Sequence, residues 1–349
     1  MRSICIVVPR KEGETVRKRL SELGLLDLGL HIRRDKEVLF IPIKERPGPG
    51  ELDGKEYPVR EEELEERGPR YRSYKDAVEG IPKELVPLLP TSFDVVGDVA
   101  LVKLVDELID YRKKVGQAML KATPSVRLVA LDRGVQGTTR VRDLEVLAGE
   151  GDLVTVHREH GLRFEVDLSK CYFSPRLATE RQRVASAVRD GERVLDMFAG
   201  VGPFSIMIAK ARKVQKVWAV DINPVAVEYI NRNIKLNKVE NVEPVTADAK
   251  DFVPGLGPVD RIIMNLPHTG FDYLRLAILA CADGATIHFY EITDAPDYRV
   301  MDIEALAQGL GRLAKVVEKC EVRTYSPTES QWAFDIKVHI DNACGPRSG

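Results

Sequence analysis

The run Val194-Leu195-Asp196-Met197-Phe198-Ala199-Gly200-Val201-Gly202-Pro203-Phe204-Ser205 constrains the fold more than any other stretch of this 349-residue chain. Its apolar start reads as a buried strand. Gly200 and Gly202 then permit a sharp turn in which the backbone approaches a ligand closely. The end of the run reads as the start of a helix. Strand, glycine turn and helix in this order make one unit of an open α/β sheet.

The residues that follow repeat the unit. Strands are expected at 193–197, 216–221, 242–248, 261–265 and 285–290, with helices between them, the clearest at 224–236. Such alternation implies a parallel sheet covered on both faces. Segments 315–324 and 332–340 read instead as two strands joined through Tyr325–Gln331, a β-hairpin. A parallel sheet that ends in a hairpin points away from NAD-dehydrogenase domains. The expected fold class is α/β: a Rossmann-like class I domain dependent on S-adenosylmethionine (SAM), a small α/β N-terminal domain and an α+β middle domain.

A chain of this length calls for two or three domains. Residues 1–60 form the expected N-terminal domain: a strand at 3–8, a helix at 12–23 with Val16, Leu20 and Leu23 at helical spacing, an end at Gly24, and strands at 28–32 and 37–43. Pro47-Gly48-Pro49-Gly50 breaks regular structure. Residues 61–91 read as a linker. Its acidic run at 61–66 is expected to be a solvated helix face. Gly68-Pro69-Arg70-Tyr71-Arg72-Ser73-Tyr74-Lys75 is either a polar loop or a contact to RNA by charge and stacking. The middle domain, 92–175, opens with a strand kinked at Gly97, then a helix at 106–121 and strands at 125–130, 153–157 and 163–168. Residues 176–345 make the catalytic domain.

Hydrophobic residues are 44% and charged residues 30%, a globular balance. Frequent Glu, Lys and Arg beside few Asn and Gln is a thermophile-like composition. The net charge of −2 excludes a protein that coats nucleic acid non-specifically. Any RNA contact must use local patches. Five dispersed cysteines, with no CxxC pair, imply neither a disulfide framework nor a metal site. Cys5–Cys344 is the one pairing considered. No apolar run reaches bilayer length, and the N-terminus lacks a secretory signal, so a cytoplasmic monomer without membrane contact is expected.

The chemistry gathers at strand ends. Asp221 ends the second strand, where a carboxylate accepts from ribose hydroxyls. Ile222 can pack on an adenine face. Asp248, followed by Ala249, ends the third strand, where it can take the adenine amino group. Together with Gly200 and Gly202 these point to SAM, against an NAD site or a core with no site. Asn265-Leu266-Pro267-His268 ends the fourth strand, where open sheets place ligands. The Asn amide can read a base edge, and proline fixes the backbone. A strand-end turn is the plain alternative, and His268 reads equally well as an exposed loop residue. Methylating a protonated ring nitrogen needs a base for the proton and a donor for charge on the neighbouring oxygen. Segment 172–181 supplies Tyr172, Arg176, Glu180 and Arg181, although Glu180 and Arg181 read first as a surface helix pair.

Three stretches, Lys170-Cys171-Tyr172-Phe173-Ser174-Pro175-Arg176-Leu177-Ala178-Thr179-Glu180-Arg181, then 196–204, then Asn265-Leu266-Pro267, resemble the archaeal and eukaryotic tRNA (guanine-37-N1)-methyltransferases. Gly97-Asp98-Val99-Ala100 and Leu147-Ala148-Gly149-Glu150 resemble that family's middle domain. The resemblance covers about residue 92 to the C-terminus, and residues 1–60 more loosely. It implies methylation of N1 of guanosine 37 in tRNA, with a base flipped out beside the anticodon. By motif, Glu180 is the general base and Arg140 the stabiliser of the base oxygen, with Arg142 its competitor. Asn265 holds the guanine edge, Pro267 shapes the pocket and Tyr172 places the nucleotide. The implied cofactor set is Arg181, Asp196, Phe198, Gly200, Gly202, Asp221, Ile222, Asp248, Ala249 and Asn265. The N-terminal domain is implied to touch the tRNA elbow. Arg17, Lys18, Arg19, Arg33, Arg34, Arg112, Lys113 and Lys114 are candidate phosphate contacts or plain surface charges.

Three alternatives stand beside this reading. One is a bifunctional enzyme that also methylates a carbon of the tricyclic wyosine precursor, a branch that His268 would mark. Another is an aminocarboxypropyl transferase of the same pathway. The third is a passive tRNA-binding protein.

Overall fold

The computed structural model describes residues 1–67, 71–137, 139–326 and 328–340. Gly68, Pro69 and Arg70 of the arginine–tyrosine stretch, Cys344 of the considered pairing and the end of the catalytic domain lie outside the described residues. Two compact units are present, Met1–Asp76 and Ala77–Gly349.

In the first unit a four-stranded antiparallel sheet has the order β2-β3-β1-β4, with β1 Arg2–Pro9, β2 Arg33–Arg34, β3 Val38–Pro42 and β4 Val59–Glu63. Helix α1, Gly13–Glu22, turns Val16 and Leu20 into a core with Ile6, Val8 and Ile41. The first half of the acidic run, residues 61–63, is strand rather than helix: it belongs to β4, which pairs with β1 at the edge of the sheet. Charge on an edge strand is compatible with sheet because alternate side chains face water, and it blocks pairing with other chains. The expected strand at 28–32 is absent; Leu30 makes an isolated bridge with Glu66 instead.

The second unit begins with β5 Asp94–Val96 and β6 Val99–Val102. The kink at Gly97 is a hairpin turn, with φ +58°, and β5 and β6 pair antiparallel. The expected helix at 106–121 starts as a 3-10 turn and is α-helical over α2, Arg112–Ala122. Strands β7 Leu128–Gln136 and β8 Val141–Gly149 complete a sheet of order β5-β6-β7-β8. A separate hairpin joins β9 Val154–Glu159 to β10 Leu162–Asp167.

After α3, Ala178–Ala187, come β11 Arg193–Asp196, α4 Pro203–Ala211, β12 Lys216–Asp221, α5 Pro224–Asn237 and β13 Val242–Thr246. Then follow α6 Ala249–Phe252, β14 Val259–Met264, α7 Phe271–Ala280, β15 Cys281–Thr293, α8 Pro296–Gly309, β16 Arg312–Thr324 and β17 Ser330–Ile340. The seven strands have the order β13-β12-β11-β14-β15-β17-β16. All paired strands from β13 to β15 are parallel, and β17 runs antiparallel to both its neighbours. The parallel sheet with a terminal hairpin is thus present. Adjacent residues of a strand face opposite sides, and here Val194 enters one core cluster while Leu195 enters the other. Both are fully buried, each contributing about 1.5–3 kcal/mol. That two-sided burial explains the continuous apolar run. Strand order reverses at β11, between β12 and β14, and this switch point opens the crevice that holds the site.

Candidate active site

A cleft of about 740 Å³ lies over the carboxyl ends of β11, β12, β13 and β14. Its floor is the glycine turn. Gly200 and Gly202 have φ +56° and +83°, left-handed values that a side chain resists. A Cβ on Gly202 would come within 3.3 Å of Ile206 and Ile230. Asp221 holds the turn, accepting from the Gly200 N–H at 2.7 Å and from the Asn223 N–H at 2.9 Å. Burial raises its pKa. Asn223 caps α5 through the Val225 N–H at 3.0 Å and donates to the Lys170 carbonyl at 2.7 Å. The segment before Tyr172 is thereby tied to the turn.

Ile222 is 47% exposed and lines the cleft, an apolar side chain facing a void. Asp248 caps α6 with one oxygen, on the Lys250 N–H at 2.8 Å, leaving the other as an acceptor. Ala249 and Phe198 line the same wall, and Phe198 meets Tyr273 edge-on at 5.0 Å. These groups fit SAM: backbone open at two glycines, one apolar platform and two carboxylates. Two other residues of the expected cofactor set are buried. Asp196 is fully buried under the turn and absent from the cleft wall, accepting from the Ser205 hydroxyl at 2.7 Å. Burial pushes its pKa up to about 7. Arg181 reaches the wall but is 2% exposed. It is forked on Glu159 at 2.7 and 2.5 Å and donates to the Ser174 carbonyl at 3.1 Å.

Tyr172, Arg140, Arg142, Asn265, Pro267 and His268 line the same cleft. The two arginines differ in kind. Arg142 pairs with Asp132 and donates to the Phe173 carbonyl at 3.3 Å. Arg140 has no carboxylate partner among the described residues. It sits at the β7–β8 turn with φ +53°, a strained value for a side chain. Its guanidinium lies 5.6 Å from the Tyr172 ring, and burial lowers its pKa. The Asn265 amide likewise has no partner among the described residues. The carbonyl of Pro267 does not face the cleft as a free acceptor, because the Ile292 N–H holds it at 3.0 Å. His268 packs its ring 5.6 Å from Tyr325.

Glu180, expected beside the substrate, is not brought there. It is 7% exposed and does not line the cleft. Its carboxylate accepts from the Tyr290 hydroxyl at 2.6 Å and from Arg183 at 2.8 and 2.9 Å. Nor is it a surface pair with Arg181. Arg183 in turn grips Asp335 at 2.7 Å, which receives His288 Nδ1 at 2.7 Å. Arg261 donates to His288 Nε2 at 2.7 Å, which leaves the imidazole proton on Nδ1. Sequence reasoning missed Arg323 and Tyr325, which reach the cleft from the β16–β17 hairpin. An arginine and a tyrosine beside a hairpin turn were the available signal. Of the candidate phosphate contacts, Arg17, Arg19, Arg33, Arg112 and Lys113 pair with acids, and Lys114 donates to the Gly80 carbonyl. Among the described residues Lys18 and Arg34 have no such partner.

Sheet order, glycine turn and acidic strand ends define a Rossmann-like SAM-dependent methyltransferase. Family models match three parts of the chain: a TRM5/TYW2 methyltransferase domain at residues 155–323, a TYW2 N-terminal domain at 74–152 and a tRNA methyltransferase 5 N-terminal domain at 5–50. The chain is 42% identical over 340 residues to the tRNA (guanine(37)-N(1))-methyltransferase Trm5b of Pyrococcus abyssi, covering 96% of this chain and 99% of that one. The crystal structure of that protein superposes with a TM-score of 0.71 at 41% identity, over 97% of this chain and 100% of that one. A complex of aTrm5 with tRNALeu superposes with a TM-score of 0.70 at 34% identity, over 96% and 99%. The tRNA(Phe) (4-demethylwyosine(37)-C(7)) aminocarboxypropyltransferase of Pyrococcus horikoshii is 32% identical over 74% of this chain and 93% of that one. The chain belongs to the TRM5/TYW2 methyltransferase family, and it is an enzyme.

Proposed function

We propose that this enzyme transfers the methyl group of SAM to N1 of guanosine 37 in tRNA. The observation that carries the reading is the guanidinium of Arg140, without a carboxylate partner among the described residues, over a cleft shared with the Asn265 amide, which has no partner among them either. SAM supplies an electrophilic methyl group together with its leaving group. The chain's own residues do the rest. Gly200, Gly202, Asp221, Ile222 and Asp248 hold the donor. Asn265 donates and accepts along the guanine edge, and Pro267 fixes the loop that presents it. Arg140 meets the charge that builds on the guanine oxygen as N1 loses its proton, the preorganised stabilisation that acyl- and phosphoryl-transfer sites also use. Arg142 is already neutralised by Asp132, which favours Arg140 for this role. Tyr172, beneath both guanidinium groups, places the nucleotide. Glu180 is the acid assigned to the N1 proton, and to reach it the carboxylate must exchange Tyr290 and Arg183 for the substrate.

The unit Met1–Asp76 is assigned to the tRNA elbow, where Lys18 and Arg34 offer charge without an acidic partner among the described residues. A monomer is the proposed working unit. No described helix is long and apolar enough to cross a membrane, and tRNA as substrate argues for the cytoplasm. Incubation of a guanosine-37 tRNA with SAM, followed by mass analysis of its nucleosides, tests the reading. N1-methylguanosine and S-adenosylhomocysteine are the expected products. A methylated tricycle from precursor tRNA would add the bifunctional activity. An aminocarboxypropyl nucleoside with methylthioadenosine, or equal methylation of an adenosine-37 transcript, would overturn the proposal.

A further inference from the structure

Five arginines line the cleft, and three are matched by carboxylates: Arg142 by Asp132, Arg176 by Asp94 and Arg181 by Glu159. Arg140 and Arg323 are not matched among the described residues. They come from different elements, the β7–β8 turn and the end of β16, yet each lies within electrostatic reach of the other. Partly desolvated like charges without counter-ions favour an incoming anion. Arg323 is also held in place: its Nε donates to Oε1 of Gln331 at 2.8 Å, and Gln331 is 1% exposed. Its two Nη groups have no partner among the described residues. Two residues on, Tyr325 is 50% exposed and meets the His268 ring at 74°. Glu329 bears on His268 from the same hairpin, but its carboxylate takes a 3.5 Å bond from Ser326. A fixed guanidinium beside an exposed ring is how proteins hold single-stranded RNA: the cation takes a phosphate, and the ring takes a base.

We propose that the end of the β16–β17 hairpin is an RNA subsite, in which Arg323 binds a phosphate flanking the extruded nucleotide and Tyr325, braced by His268, stacks on an adjoining base. The subsite deepens the reading of the cleft as a guanosine-37 methyltransferase and rests on it. It gives the hairpin a substrate-facing role that the sheet alone does not require. It also leaves Arg140 free for the base oxygen, because a separate cation serves the backbone.

The test uses the full chain and full-length tRNA assembled with a neutral methylphosphonate at either phosphate flanking nucleotide 37. With the native enzyme, one of the two replacements raises KM for tRNA about tenfold, the loss expected for one charge-assisted contact. Arg323→Gln raises KM for unmodified tRNA about as much and is then indifferent to that replacement. Tyr325→Ala raises KM several-fold, Tyr325→Phe does not, and SAM affinity is unchanged in all three variants. Losses from Arg323→Gln and the methylphosphonate that simply multiply, or equal losses in Tyr325→Ala and Tyr325→Phe, would overturn the subsite. Failure of the native enzyme to methylate guanosine 37 at all would instead remove the reading beneath it.

Discussion

The carboxylate of Asp132 pairs with Arg142, and that pairing leaves Arg140, two residues earlier, as the cation of the turn that faces the cleft. The two side chains of Arg142 and Asp132 are 8% and 4% exposed. Removing one partner of a buried pair strands the other, at a cost of about 3–5 kcal/mol. Arg142→Ala is therefore expected to lower the melting temperature. Arg140→Ala strands no carboxylate among the described residues. It should leave the melting curve in place and cut single-turnover methyl transfer by about 100- to 1,000-fold, the loss typical of one oxyanion donor. Thermal melts and single-turnover rates on both variants check the division; interchanged phenotypes would defeat it.

Asp248 uses one oxygen to cap α6 and presents the other to the cleft. Asp248→Asn keeps the cap, since the amide oxygen still accepts from Lys250. Its second group becomes a donor facing the donor of an adenine amino group. SAM affinity should fall about tenfold while stability hardly changes. Titration calorimetry and a melt measure the two effects. Asp248→Ala should lose both, because the cap itself is worth about 1 kcal/mol.

Asp196 gives a pH signature to stability. Burial raises its pKa from 3.8 to about 7. Between those values the folded state binds a proton that the unfolded state has released, so stability falls as pH rises. The contribution is complete below about pH 4 and is lost as pH passes through the folded pKa. Its full size is on the order of 4 kcal/mol, about three pKa steps at 1.36 kcal/mol each. Asp196→Asn keeps an acceptor for Ser205 without the ionisation. Denaturant melts from pH 5 to 8.5 should show a declining stability in the parent and a flatter curve in the variant. Parallel curves would mean that Asp196 does not titrate there.

What the sequence discloses is what local chemistry dictates. Gly200, Gly202, Asp221 and Asp248 sit at strand ends because buried parallel strands announce themselves by apolar runs and close-approach turns by glycine. Strand β8 is hidden by its own composition. Arg142, Asp143 and Glu145 interrupt the apolar pattern, and only Leu147 within it is buried. Charged β4 misled for the same reason, since a sheet edge tolerates what a helix face also tolerates. Glu180 is a different case. Its surroundings are set by Tyr290, 110 residues away, and through Arg183 by Asp335. No window of sequence contains those contacts. Arg323 and Tyr325 belong to a hairpin whose strand β17 lies between β15 and β16, an order that no local pattern announces.

That distant grip on Glu180 carries the last prediction. Tyr290 is fully buried, and its hydroxyl donates to the carboxylate that is assigned to the proton. If the carboxylate must leave this donor to reach N1, the bond opposes catalysis. Tyr290→Phe should then leave single-turnover transfer unchanged or raise it a few-fold. Glu180→Gln should lower transfer at least about 100-fold, as loss of a general base does, with SAM affinity kept. A purely bracing role gives another pattern. Both variants would then melt earlier, and the folded fraction of each would transfer methyl at the parent rate. Rates normalised to folded enzyme, measured beside the melting curves, separate the two. A folded Glu180→Gln enzyme at full speed would remove Glu180 from the chemistry and leave it as the anchor of Arg183.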